Sequence, residues 1–496
     1  MKLHKLALAA CVLAAGSAHA LTPAQIDTFR GDGSLKEIHI AGASALRLAL
    51  GAAVQDICDA ASFDVFFDST AGSNHRAYSC LTSVAVGSYP VGTKLLVTKR
   101  DAGGSARGVT QLATNPPTPQ EAILVTAAGA TPCTPTGATL PLTIKTPSYL
   151  CTGTVNKASD AGISDVEPAM LQQTINRPDG VAAVDTSTLT VGSLVQGIFA
   201  PAVNNKLYFA LQRAQFPAET AGKTIADIDT LPQPSLSTEF IRSVLTGQIT
   251  GSTGGNKGWN VVVPASVDPQ VSGKTVNICR RTEGSGTQAA SNIYFANNPC
   301  GGALSGLTPS GVTGSSGGTT GTLSVRTGLT AVQEGASSGN VETCLATVDA
   351  AVVATDPTDN AAYGLAIIGR ENDPVSTNKS YRFVKLDGVA PLRNEAKVGN
   401  YPMVYDATMQ WNTAYVGADA AKLSFLTALR NNTGRSSALA ALDVSTHEGV
   451  MALPGTYTGP YLTMQASSSA SAAEKAFGSR VSRLAGNSCS PIRIIK

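Results

Sequence analysis

The chain has 496 residues, with 36 Lys and Arg against 34 Asp and Glu, 49 glycines and only 5% aromatic residues. That length exceeds one core and points to two or three lobes, with much of the chain in turns and loops. A net charge of +2 without a basic run argues against a nucleic-acid partner, and no stretch after the first twenty residues is apolar enough for a membrane helix.

The opening "MKLHKLALAACVLAAGSAHALTPAQ" places Lys2 and Lys5 before an apolar run and ends it with Ala18-His19-Ala20. This is the pattern of a secretory leader cleaved after Ala20, so an exported chain, periplasmic or secreted, is expected to begin at Leu21 with a charge near zero. A lipid-attachment reading at Cys11 is weaker, because little apolar sequence precedes that cysteine.

Residues 37–58, "EIHIAGASALRLALGAAVQDIC", read as a short strand, a turn at Gly42 and a helix with Leu46, Leu50, Val54 and Ile57 on one face. "KLYFALQ", 206–212, reads as a strand, and "TEFIRSVLTGQITG", from Thr238, as an amphipathic helix. The strand, turn and helix plan recurs in "TVNICRRTEGSGTQAASNIYF", 275–295, where Ala290, Ile293 and Tyr294 share a face. Two further strands are expected at "AAYGLAIIG" and "YPMVYDATMQW". The alternation predicts α/β layers with mainly parallel sheets. The Pro-, Thr- and Gly-rich stretches 114–155 and 301–340 read as surface insertions.

Eight cysteines follow the leader: Cys58, Cys80, Cys133, Cys151, Cys279, Cys300, Cys344 and Cys489. An even number in an exported chain favours disulfides, whose pairing the sequence leaves open. Metal binding is the weaker reading, since CxxC and HxxxH spacings are missing and only His39, His75 and His447 follow the leader. No cofactor, metal ligand or catalytic residue is expected.

In "RTEGSGT", 281–287, Arg281 ends a strand and Ser285, Gly286 and Thr287 open a helix. Free N–H groups at a helix start, two hydroxyls and a guanidinium suit a tetrahedral oxyanion. The same segment read alone is an ordinary turn, with Arg281 a surface or salt-bridging arginine. Ser44 reads equally as a helix cap, Ser105 as a loop serine, and Asp165 as the cap of a helix starting near Glu167 and Pro168.

Together these segments resemble the periplasmic phosphate-binding proteins that serve Pst-type ABC transporters. "RTEGSGT" is similar to the family's Arg-x-Asp-Gly-Ser-Gly-Thr signature; "IAGASAL", "GGSARGVTQL" and "DAGISDVEP" resemble three further blocks in the family's order. The resemblance implies a type II periplasmic-binding fold of two α/β lobes joined by a two-segment hinge near 197–205 and 399–406. Lobe one would comprise 21–199 and 404–496, and lobe two 200–403. It implies contacts to inorganic phosphate from Ser44, Ala45, Ser105, Asp165, Arg281, Ser285, Gly286 and Thr287. It also implies tolerance of arsenate, a monomeric state and a membrane ABC permease as partner. Glu283 stands for the family's Asp and is expected to orient Arg281, while Arg107 replaces a usual Gly. Two other functions compete: a phosphatase-like enzyme on the same scaffold, for which no nucleophile with an assisting base is found, and a surface-interaction protein with a vestigial anion site. With Cys58, Cys80, Cys133 and Cys151 in lobe one, lobe two would hold an odd cysteine, whose partner is expected to be Cys489.

Overall fold

The computed structural model describes residues 21–496 except 139–143, 250–257, 303–305, 312–313, 316–329, 351–362, 372, 441, 443–447, 455–469, 484–486 and 495–496. The leader and much of the 301–340 stretch lie outside the described residues. Among those described, no helix is long and apolar enough to cross a membrane.

Strand Lys36–Gly42 lies between Lys94–Arg100 and Ala161–Ser164, parallel to both. Helix Arg47–Asp56 follows it and buries Leu48, Leu50 and Val54. The plan recurs further along the chain. Val276–Arg281 lies between Thr330–Gly335 and Gly364–Gly369, again all parallel, and runs into helix Gly286–Ala296. Helix Ser338–Ala350 follows Thr330–Gly335.

Two long antiparallel strands connect these triplets. Leu189–Asn204 has 16 residues, about 53 Å at the usual rise per residue. It pairs with Val404–Asn412 from Leu189 to Ile198, then with Gly364–Gly369 from Phe199 to Val203. Val404–Asn412 pairs in turn with Ala161–Ser164. The outcome is a mixed α/β protein around one large sheet. Parallel pairing is confined mostly to the two triplets. The connecting pair is antiparallel, as is the run Asp64–Asp68, Gly72–Leu81 and Lys94–Arg100, where neighbouring segments pair directly. Side chains from both triplets, including Ile40, Ile163, Ile278 and Leu365, share one buried apolar cluster with Phe199 and Met409.

Three expectations are corrected. "KLYFALQ" lies in helix Asn205–Gln215, which buries Leu207, Tyr208 and Leu211 at helical spacing; a short apolar run does not separate the two periodicities. Part of 301–340 is no insertion, since Thr330–Gly335 is a sheet strand with Ala331, Val332 and Gln333 buried. Likewise 114–155 contains strands Gln120–Ile123 and Tyr149–Cys151, and Ile123, Val125, Cys133 and Cys151 pack with Leu21, Ile26 and Phe66. Sparse apolar residues there suffice because Cys133 and Cys151 are bonded.

The other disulfides are Cys58–Cys80, Cys279–Cys344 and Cys300–Cys489. Cys489 therefore takes the cysteine left over among Cys279, Cys300 and Cys344. Its neighbour Ser488 donates its backbone N–H to the Glu167 carboxylate at 2.8 Å and 3.0 Å, so residues 488 and 489 tie the tail both to the segment of Glu167 and to that of Cys300.

Candidate functional site

All six strands of the two triplets run so that their carboxyl ends face a common region, where open α/β sheets place ligands. The first turn, 43–46, follows Lys36–Gly42. Ala43 donates its N–H to the Ile163 carbonyl at 2.8 Å. From below, the buried Lys99 Nζ donates to the carbonyls of Gly42 (2.9 Å) and Ala43 (3.2 Å) and to Asp101 Oδ1 (2.6 Å). Asp101 Oδ2 in turn lies 3.1 Å from Arg47 Nε, and that Nε also donates to the Ser44 carbonyl at 2.9 Å. A charged chain thus fixes the backbone that carries Ser44 and Ala45, both buried. Ser44 does not cap the helix: Leu46 holds the cap position without a side-chain bond.

Ser105 lies in the one-turn helix Gly104–Arg107 and is fully buried. Its Oγ accepts from the Asp165 N–H at 3.2 Å and donates to Asp165 Oδ2 at 3.3 Å. Asp165 Oδ1 is buried with no hydrogen-bond partner among the described residues. Nor is Asp165 a cap, for Glu167 precedes the short helix Pro168–Gln172. Arg107 is exposed and lies against Gly103, away from this group.

Arg281 ends the strand Val276–Arg281 and is buried. Its Nε donates to the Gly335 carbonyl (3.2 Å), Nη2 to the Ala336 carbonyl (2.9 Å) and Nη1 to Ser338 Oγ (3.4 Å). A guanidinium has five N–H donors, so one on each terminal nitrogen remains for a ligand. Ser285 caps helix Gly286–Ala296 by accepting from the Gln288 N–H, while its own N–H goes to the Thr282 carbonyl. Gly286 and Thr287 follow as the first helical residues, whose N–H groups have no intrahelical acceptor.

The two halves touch. Ala106 donates its N–H to the Gly284 carbonyl at 2.8 Å, and Gly284 to that of Asn176 at 2.8 Å. Asn292 Nδ2 donates to Asn176 Oδ1 at 3.0 Å. Gly286 sits so close that a Cβ there would lie 2.4 Å from Ser105 Oγ and 2.5 Å from Asp165 Oδ2. The positive end of the helix therefore faces the Asp165 carboxylate. Of the expected residues, Ser105, Asp165 and Gly286 meet directly. Arg281 shares Gly104 as a neighbour with Ser285. Ser44, Ala45 and Thr287 lie on the adjoining turns.

Glu283 does not orient Arg281. It lies with Asp179 and Glu334 on the side of Arg280, which is ion-paired with Glu334 at 2.8 Å. Neighbouring strand residues point to opposite faces, so Arg280 and Arg281 have separate surroundings. A cleft of about 920 Å³ opens on the Arg280 side, lined by Asp179, Glu283 and Glu334. Three carboxylates beside one guanidinium do not suit an anion.

Sequence reasoning missed four charged groups: Arg47, Lys99, Asp101 and Glu371. Arg47 carried a signal, since a cation in a first helical turn opposes the helix dipole. Glu371 follows Gly364–Gly369 at the same carboxyl edge as Arg281. Burial pushes Asp165 up to about 6, against the attraction of Arg281 and the Ser105 bond, and pushes Glu371 up to about 7. Burial also draws Arg281 down to about 10, opposed by Asp165, so it stays charged at neutral pH.

A carboxyl whose pKa is raised by folding stabilises fully below its unfolded value and loses that contribution as pH rises through the folded one. For Asp165 and Glu371 the loss falls between about pH 4 and pH 7. The ligand-free chain is expected to melt lower at pH 8 than at pH 5, with each group contributing on the order of 2 kcal/mol. Thermal melts of Asp165→Asn and Glu371→Gln check this: each should flatten the dependence, and profiles parallel to the parent chain would show that these carboxyls are not desolvated.

No protein-family model matches the chain, and no curated protein matches it. Among solved structures, a Clostridium perfringens protein described as a phosphate ABC transporter substrate-binding protein with bound phosphate is 10% identical, covering 84% of this chain and 99% of its own, with a TM-score of 0.39. An ABC-type phosphate transport receptor from Vibrio cholerae is 12% identical, covering 80% of this chain and 94% of its own, with a TM-score of 0.34. PstS from Borrelia burgdorferi is 10% identical, covering 82% and 95%, with a TM-score of 0.31.

Proposed function

We propose that the chain is an exported solute-binding protein that holds one inorganic phosphate between two lobes of a type II periplasmic-binding fold. The observation that carries this is the buried set of Arg281, Ser105 and Asp165 at the start of helix Gly286–Ala296, with Asp165 Oδ1 unpartnered among the described residues. Lobe one is 21–199 with 404–496, lobe two is 200–403, and the two crossings are the hinge. Delivery to a membrane ABC permease rests on the resemblance of the four turns.

In this reading the two remaining guanidinium N–H groups and the N–H groups of Gly286 and Thr287 donate to phosphate oxygens. Ser44 Oγ and the Ala45 N–H close the other side. Asp165 accepts the proton that monohydrogen phosphate retains. Sulfate has no proton to give, so it would leave two buried acceptors facing each other; such mismatches are rejected by up to about 10⁴-fold. Arsenate carries the same proton and binds comparably.

Titration calorimetry of the chain from Leu21 with phosphate, arsenate and sulfate tests this. Phosphate and arsenate heats with no sulfate heat are expected, and Asp165→Asn should narrow the phosphate preference by at least tenfold. An absence of phosphate heat would overturn the proposed function.

A further inference from the structure

Glu371 has a built place in the molecule that neither the motif nor the proposed contact set uses. It follows Gly364–Gly369, which is parallel to the strand ending in Arg281, so both residues emerge at the same edge. Two glycines leave it room. A Cβ at Gly369 would lie 1.8 Å from Glu371 Oε2, and one at Gly449 would lie 2.3 Å from its backbone nitrogen. The side chain is buried, yet it lines a cleft of about 280 Å³ together with Arg47, Arg76, Lys145 and Asp373. Through Arg47, whose Nε bonds the Ser44 carbonyl, that cleft adjoins the first turn of the site.

The charges of this region balance before any ligand enters. Arg47, Lys99 and Arg281 oppose Asp101, Asp165 and Glu371. A phosphate dianion adds two negative charges to a desolvated region, where uncompensated charge is costly. The ligand proton that Asp165 accepts as a hydrogen bond is already counted in that dianion, so the region gains two full negative charges. A proton taken from water offsets half of that excess.

We propose that Glu371 is a second carboxylate of the anion site, and that phosphate binds together with one added proton held between Glu371 and a ligand oxygen. The inference rests on the phosphate reading above. Protonation of Glu371 and binding of the dihydrogen monoanion are the same event in net composition: monohydrogen phosphate plus one proton enters, and no bond to phosphorus changes. The charged and titratable groups around Glu371 are Arg47 from helix Arg47–Asp56, Asp165, Arg281, Glu342 from helix Ser338–Ala350, Tyr381 and Tyr405. Arg76, Lys145 and Asp373 stand on the cleft wall. Among these, Glu371 already lies closest to neutrality, raised to about 7 by burial. Arg47 opposes that shift and Asp165 supports it.

Phosphate titrations at about pH 8, in buffers of different ionisation enthalpy, read the protons taken up per ligand. Free inorganic phosphate is then mainly the dianion. Uptake close to one proton is expected for the parent chain, with affinity falling up to about tenfold per pH unit above neutrality. In Glu371→Gln, uptake should approach zero and that dependence should flatten while binding persists. Phosphate binding with no proton uptake in the parent chain, a measurement that needs no variant, overturns the inference and leaves the phosphate reading intact. Phosphate binding absent at every pH overturns that reading, and the inference with it.

Discussion

Replacing Arg281 with Ala is expected to weaken phosphate binding by about 10² to 10³-fold, equivalent to roughly 3 to 4 kcal/mol. The size follows from its surroundings. Arg281 is buried, and three of its donors are committed to Gly335, Ala336 and Ser338. Its plane is therefore fixed before ligand arrives, and little entropy is lost when the remaining two N–H groups engage an anion. Removing it also leaves Asp165 buried without its strongest opposing positive charge, so Asp165 should become harder to ionise. Arg281→Lys separates charge from geometry. It keeps a cation but cannot bond the Gly335 and Ala336 carbonyls and two ligand oxygens at once, so most of the affinity should remain lost. Calorimetry with phosphate measures both variants. A loss below about threefold in Arg281→Ala would place the anion elsewhere.

How much of this was legible in the sequence depended on how local each signal was. The two strand, turn and helix units could be read because Ile38 and Ile40, then Leu50 and Val54, alternate with the right periods within a short window. Their turns carried Ser44, Ser285 and Gly286 into view together. Asn205–Gln215 was not legible as a helix, since seven residues of "KLYFALQ" satisfy either period. Thr330–Gly335 was hidden by the Gly- and Ser-rich sequence before it, although its partner strand makes it part of the sheet. Pairing is a tertiary fact. The same applies to the site: Lys99 acts on a turn through two carbonyls, 57 and 56 residues away, which no spacing rule expresses. Glu283 was misplaced for a related reason. The motif gives order along the chain, but Glu283 lies beyond the strand end at Arg281, and the path of the turn carries it to the side of Arg280 and Glu334.

Gly286→Ala is expected to separate folding from closure. In a helix, Gly to Ala ordinarily stabilises by about 0.5 to 1 kcal/mol, and Gly286 is the first residue of its helix with no left-handed backbone to preserve. The segment on which it resides should therefore fold at least as well. What the added methyl meets lies on the other half of the site: Ser105 Oγ at 2.4 Å, Asp165 Oδ2 at 2.5 Å and Asp165 Cβ at 2.6 Å. These atoms have little freedom to yield, because Ser105 and Asp165 are buried and bonded to each other. The strain is relieved by drawing the halves apart, at the expense of the Ala106 to Gly284 bond. Every charge of the site remains in place. With overpacking worth about 1 to 3 kcal/mol, phosphate affinity should fall roughly 10- to 100-fold while the ligand-free melting temperature stays within a few degrees of the parent. Small-angle scattering supplies the second readout: the parent chain should become more compact on adding phosphate, and Gly286→Ala should not. Equal compaction and equal affinity in both would mean that the contact of Gly286 with Asp165 and Ser105 is not part of the ligand-bound arrangement.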